Sequence, residues 1–178
     1  FDPVHGGFGG APKFPQPSVL EFLLGRHGAT GDPTPLELVV HTLRKMAAGG
    51  MRDHLGGGFH RYSVDTRWLV PHFEKMLYDN ALLARVYLSA WRASGIDDFA
   101  RMARHTLDWV LDDMQAPEGA FYSARDGDSE GEEGRFYLWT PSEVEAVGAG
   151  AGVDDATVAR FCRVYDVRTG GNFEGRSI

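Results

Sequence analysis

The chain has 178 residues, 43% hydrophobic and 24% charged, enough for one domain with a sizeable core. Its formal charge is −7, from 25 acidic and 18 basic side chains, and no basic stripe stands out, which argues against a nucleic-acid partner. No apolar run approaches the ~18 residues of a membrane helix, and no secretory signal pattern opens the sequence, so neither a membrane partner nor export is expected. The lone cysteine, Cys162, can form no internal disulfide. A reducing, cytoplasmic setting is therefore the default expectation. Cys162 sits among Val158, Phe161 and Tyr165 at helical spacing, which reads as a core thiol.

Helical periodicity dominates. Pro33 and Pro35 suit a helix entrance, Leu36, Val39, Val40, Leu43, Met46 and Ala47 form one stripe, and Gly49-Gly50 suits the exit, giving a helix over 35–48. Over 73–92 the apolar residues Leu77, Ala81 to Ala84, Val86 to Leu88, Ala90 and Trp91 cover nearly every face, which predicts a helix buried all round. Over 98–115, Phe99, Met102, Ala103, Thr106, Leu107, Val110, Leu111 and Met114 form one stripe, with Arg101, Arg104, Asp108 and Asp112 opposite. The turn at 94–97 joins these two as an αα-hairpin, the first member the more buried. Thr140-Pro141-Ser142-Glu143 carries the capping-box pattern of another helix start, and a further helix is expected over 154–165.

Glycine-aromatic segments separate the helices: Gly6 to Gly10 around Phe8, Gly56 to His60, Glu118 to Tyr122, and Gly170 to Glu174. Phe8, Phe59, Phe121 and Phe173 are 51, 62 and 52 residues apart. A repeat near this period, one hairpin plus one Gly-Phe loop, predicts a stacked or circular array with all four phenylalanines at one end.

Four stretches are long and specific. They are Gly-Gly-Phe-Gly-Gly-Ala-Pro-Lys-Phe-Pro at 6–15, Gly58 to Asp65 continuing to Trp68, Pro71 to Ala81, and Phe121 to Ala124 with Asp126, Asp128, Ser129, Glu130, Gly131, Glu133 and Gly134 up to Phe136-Tyr137-Leu138-Trp139-Thr140. Together they resemble the YyaL family, related to the spermatogenesis-associated thioredoxin-like proteins. The resemblance spans almost the whole chain. It implies an all-α fold, part of an (α/α)6 toroid similar to N-acylglucosamine epimerases and six-hairpin glycosidases, with short strands possible in the long loops. Residues 1–178 then form a single domain, a portion of the toroid whose remaining hairpins and upstream thioredoxin-like domain lie outside this sequence. The covalently linked thioredoxin-like domain is the expected partner, and bare hairpin edges favour self-association.

In such toroids the loops at one end of the helices form the mouth of a central cavity, so the resemblance points to loops 5–17, 56–74 and 118–140. Sugars need flat rings against their C–H faces and fixed polar groups for their hydroxyls. Phe59, Arg61, Tyr62, Asp65, Arg67, Trp68, Tyr122 and Trp139 are the candidate substrate-binding residues. The candidate catalytic residues are His60, His72, Glu74, Asp126 and Asp128. Two carboxylates flanking a glycosidic bond would serve hydrolysis, and a histidine acid/base near a carbonyl would serve epimerisation or isomerisation. A non-catalytic glycan-binding or structural module is the rival reading. His72 or Glu74 is expected to meet the 126–130 segment across a pocket lined by Tyr62 and Trp68. Tyr78, Asp79 and Asn80, polar groups at the start of an apolar helix, read as ties between loop and helix. Asp126, Asp128, Glu130 and Gly131 mimic the start of a calcium loop, but Tyr137 occupies its twelfth position, so no metal or cofactor is expected.

Overall fold

The computed structural model describes residues 1–178, and the chain divides into two compact units, Phe1–Gly127 and Asp128–Ile178. The first holds two helical hairpins. α1 (Pro17–Thr30) begins on a proline and ends at Gly31, whose φ of 71° lets its N–H reach back to the carbonyl of His27. Only Gly31 and Asp32 then intervene before α2 (Pro33–Ala48), and the Asp32 side chain caps α2 by accepting from the N–H of Thr34. α3 (Leu77–Ser94) also ends on a left-handed glycine, Gly95 with φ of 70°, whose N–H reaches the carbonyl of Trp91, and α4 (Asp97–Asp113) follows after Ile96 with no side-chain cap.

The core of this unit lies where α1, α2 and α4 meet α3. Leu20 and Leu24, Val39, Leu43 and Met46, and Leu83, Val86, Tyr87 and Ala90 interlock there with Phe59 and Trp68 from a loop. The Tyr87 hydroxyl donates to the carbonyl of Leu43, so the one polar atom of that ring is satisfied inside the core. α3 departs from the all-round burial expected of it. Tyr78, Leu82, Leu88 and Trp91 are exposed, because α3 meets its three neighbours on one side only.

The 73–92 helix begins four residues late, at Leu77, because the backbone of 71–76 is committed to pairing between loops. β1 (Tyr62–Ser63) pairs antiparallel with β2 (Pro71–His72), and β3 (Lys75–Met76) pairs antiparallel with β4 (Ala124–Arg125). Lys13 and Ser63 exchange backbone hydrogen bonds of 2.7 and 2.9 Å, and the N–H of Leu77 donates to the carbonyl of Ser123 at 3.0 Å. These bonds tie the loop before α1, the loop between α2 and α3, and the loop after α4 to one another. Phe8, Phe59 and Phe121 therefore share one end of the first unit, while Phe173, the fourth member of the expected set, belongs to the second unit.

The repeat has a physical basis in its first two copies. Asp2 Oδ1 accepts from the N–H groups of Val4 and His5, both at 2.9 Å, while the N–H of Gly6 donates to the Asp2 carbonyl. Fifty-one residues on, Asp53 Oδ1 accepts from Leu55 and Gly56, at 3.0 and 2.8 Å, and the N–H of Gly57 donates to the Asp53 carbonyl. The second carboxylate oxygen of each turn holds a buried lysine at 2.8 Å, Lys13 on Asp2 and Lys75 on Asp53. Each ammonium lies over an indole, Lys13 at 5.2 Å from Trp68 and Lys75 at 4.8 Å from Trp109. A glycine lies against each indole in the left-handed region, Gly7 at φ 79° and Gly58 at φ 74°. A Cβ at either would stand 2.6 Å from the ring. The later copies lack the aspartate and the lysine. Gln115 bridges Phe121 in a tighter turn, and Phe121 is exposed.

The second unit holds α5 (Pro141–Gly150) and α6 (Asp155–Val164), which pack on each other. The Thr140–Glu143 capping box forms as the sequence predicts. Arg176 donates to both oxygens of Glu143 at 2.7 Å, binding the last residues to the start of α5. The hairpin β5 (Asp128–Ser129) with β6 (Glu132–Glu133) precedes a short 3-10 turn, Arg135–Tyr137. No helix is long and apolar enough to cross a membrane.

Breaking a buried ion pair by removing one partner leaves the other charge uncompensated, at about 3–5 kcal/mol. Lys75→Ala is expected to lower the unfolding free energy by that amount in urea titrations. A loss below about 1 kcal/mol would show that the pair is not what holds loop 53–75.

Candidate active site

The surface of the loop end centres on Glu74. Its Oε2 accepts from Arg61 Nη1 at 3.0 Å and lies 3.7 Å from His72 Nε2. The His72 ring stacks on Tyr62 with centroids 4.9 Å apart, and Tyr62 meets Phe14 at 4.7 Å. The β1–β2 register, Tyr62 opposite His72, sets this stack. Phe14, Tyr62 and His72 thus form a row of rings beside a charged pair, all of them at least partly open to solvent. Glu74 is not in the first turn of α3, so it acts through Arg61 rather than through the helix dipole.

Asp79 is the member of the group whose environment is least ordinary. Its Oδ2 is buried and has no hydrogen-bond partner. Burial pushes its carboxyl up to about 6, Arg61 pulls against that shift, and Glu74 adds to it. The hydrogen bond to Glu74, with smaller help from Tyr78, raises the Arg61 guanidinium above its usual value. Two carboxyl groups therefore sit around one arginine. Glu74 is paired with it, while Asp79 holds a proton far more readily than an exposed aspartate, an arrangement that separates a base from an acid.

Asp126 is exposed and adjoins the strand pair that precedes α3. Lys75 pairs with Arg125 antiparallel, so the next positions outward are Glu74 and Asp126. Gly127 packs directly on the Phe73–Glu74 peptide, with room for no side chain: a Cβ there would lie 2.9 Å from the Glu74 nitrogen. Asp128 belongs to the second unit, where it pairs with Glu133 and is exposed, and Trp139 is half-buried there opposite Ser177.

Other residues read from the sequence as site candidates serve the frame. Phe59 is fully buried and stacks on Tyr87 at 5.5 Å. His60 is buried, and Nδ1 donates to the carbonyl of Phe73 at 3.0 Å. Burial, then the neighbouring Lys75 charge, drives its pKa down to about 3, so it is neutral. Trp68, expected to line the pocket, is fully buried beneath Lys13, and its Nε1 donates to the carbonyl of His5. Asp65 accepts from the N–H groups of Arg67, Leu69 and Val70 and so closes the 65–70 turn. Arg67 and Tyr122 are exposed. Of the three polar residues at the head of α3, Asn80 does tie loop to helix, bonding both N–H and carbonyl of Phe59 and the carbonyl of Met76. Asp79 does not. The available signal was an aspartate beside that tie in an otherwise apolar helix. No group of three or more His, Cys, Asp or Glu side chains could hold a metal ion.

No family model matches the chain. The chain is similar to spermatogenesis-associated protein 20 of Rattus norvegicus, 46% identical over 155 residues, which is 82% of this chain and 20% of that protein. It thus spans about one fifth of the length of the curated relatives it matches. Among solved structures it superposes on cellobiose 2-epimerase from Spirochaeta thermophila with a TM-score of 0.64 and 24% identity, over 70% of this chain and 34% of that one. It also superposes on cellobiose 2-epimerase from Bacillus thermoamylovorans with a TM-score of 0.63 and 14% identity, over 97% of this chain and 52% of that one. The fold is all-α, with the helical hairpins of an (α/α) toroid.

Because the folded-state pKa of Asp79 is raised from an ordinary 3.8 to about 6, its contribution to stability is present below pH 4 and lost as pH rises through 6. Asp79→Asn removes that loss. The melting temperature of the variant, relative to the unsubstituted chain, should therefore rise from pH 4 to pH 7. A difference that is flat with pH would contradict the assignment.

Proposed function

We propose that this chain belongs to the YyaL family and carries part of a sugar-converting active site. In this reading Asp79 and Glu74 supply acid/base chemistry of the epimerase or isomerase type. The observation that carries it is the Asp79 carboxyl, with one oxygen buried and unpartnered and a pKa near neutrality, beside Glu74 and Arg61. Moving a proton next to a sugar carbonyl calls for such a group, since acid/base transfer is most efficient when the pKa lies near the working pH. The Phe14, Tyr62 and His72 rings offer a shelf for the C–H face of a sugar, and Arg61 offers donors for its hydroxyls. Asp126, opposite Glu74, would orient the substrate from the other side of the strand pair. Similarity to two cellobiose 2-epimerases supports the fold, and the long motifs shared with the YyaL family support the assignment. In the full-length protein, further hairpins and a thioredoxin-like domain would complete the molecule.

The test uses the full-length protein with glucose, mannose and cellobiose in deuterium oxide. Proton transfer next to the carbonyl exchanges the sugar C2 hydrogen for deuterium, which NMR reads directly. Asp79→Asn should slow this exchange by about 10²–10⁴-fold, with a melting temperature no lower than that of the unsubstituted protein at pH 7. Exchange at the full rate in Asp79→Asn would remove that residue from the chemistry. No exchange with any of these sugars would favour the glycan-binding module.

A further inference from the structure

A cavity of about 300 Å³ lies between the C-terminal turns of α2 and the N-terminal half of α4, over Tyr87 of α3. It is lined by none of the residues assigned above to acid/base chemistry. Four basic side chains surround it: Arg44 on α2, Arg52 just after it, and Arg101 and His105 one turn apart on α4. The single lining carboxylate, Asp98, is already paired with Arg101. Arg44, Arg52 and His105 form no ion pair. Phe99 and Met102 give the cavity an apolar floor.

This is a local excess of positive charge in a chain whose formal charge is −7. Clustered like charges repel, and their field in a concave wall concentrates anions. Guanidinium groups match phosphate oxygens two at a time, which a diffuse surface charge does not. The volume falls at the lower end of the ~300–1,000 Å³ of small-molecule sites, room for a compact ligand.

We propose that this cavity binds a small phosphorylated metabolite, with the phosphate held by Arg44, Arg52 and His105 and the organic part against Phe99 and Met102. Nothing in the proposal depends on the reaction at Glu74 and Asp79. The cavity is a second site, and its ligand differs from a neutral sugar by the charge it must bring.

Calorimetric titration of the protein with glucose 6-phosphate, inorganic phosphate and glucose tests it. Glucose 6-phosphate should bind, inorganic phosphate should bind at least tenfold more weakly, and glucose should not bind at this cavity. Arg52→Ala should weaken glucose 6-phosphate at least tenfold, and Arg44→Ala at least threefold. Arg52→Lys should recover only part of the loss, because it keeps the charge without the bidentate geometry. Arg26→Ala, on α1 and away from the cavity, should change nothing. Thermal melts of each variant separate loss of binding from loss of fold. The proposal is overturned if the phosphate ester does not bind, if Arg52→Ala and Arg44→Ala leave its affinity intact in folded protein, or if inorganic phosphate binds as tightly as the ester.

Discussion

Lys75 is the residue on which the loop end depends. Its ammonium is buried, and it is compensated by Asp53, the carbonyl of Gly57 and the face of Trp109. Burial pulls its pKa below the ordinary lysine value, and Asp53 only partly offsets this. Burial alone would raise Asp53, but Lys75 and the N–H groups of Gly56 and Leu55 outweigh it and hold its pKa low. A buried charge held in this way tolerates little movement, since displacement weakens its compensation in a poor dielectric. That constraint fixes the turn at 53–58, the indole of Trp109 on α4 and the strand pair through Lys75 itself. Lys13, Asp2 and Trp68 repeat the device in the preceding loop.

The acidic cluster inherits its geometry from this frame. Lys75 pairs with Arg125, which sets Glu74 and Asp126 at facing positions, and Gly127 then seats against the Glu74 backbone. Asn80, bonded to both sides of the Phe59 peptide, sets where α3 begins. Asp79 precedes it by one residue and is thereby turned toward Arg61 and Glu74 without gaining a hydrogen bond for its inner oxygen. The raised pKa of Asp79 is thus a product of the frame: the loop end buries the carboxyl further than Arg61 can compensate.

Much of the helical plan is legible in the sequence because it rests on local rules. α2 and α4 each bury a single stripe, and Thr140 with Glu143 forms the box their spacing announces. α1 is harder to see. Gly25 and Gly28 interrupt it, Phe22 is exposed, and only Leu20 and Leu24 are fully committed to the core. α3 reads as buried all round, yet Tyr78, Leu82, Leu88 and Trp91 are exposed, since periodicity reports what a face is made of and not which neighbour covers it. The site is less legible still. Lysine and aspartate are ordinarily surface residues, so nothing local marks Lys13 and Lys75 as buried cations. His60, Phe59 and Trp68 have the composition of a sugar site but are consumed by packing, because burial is decided by partners distant in sequence: Phe73 for His60, Tyr87 for Phe59, and His5 and Lys13 for Trp68. The state of Asp79 depends on Arg61 and Glu74, which only the strand register brings together.

The most direct measurement is the carboxyl carbon of Asp79, followed by NMR from pH 3 to pH 8 in the unsubstituted protein and in Glu74→Gln. An inflection near pH 6 is expected, and a lower one once the Glu74 charge is removed. An inflection near pH 4 in the unsubstituted protein, unmoved by Glu74→Gln, would mean that Asp79 is an ordinary aspartate and that the loop end does not hold the acid the proposed chemistry requires.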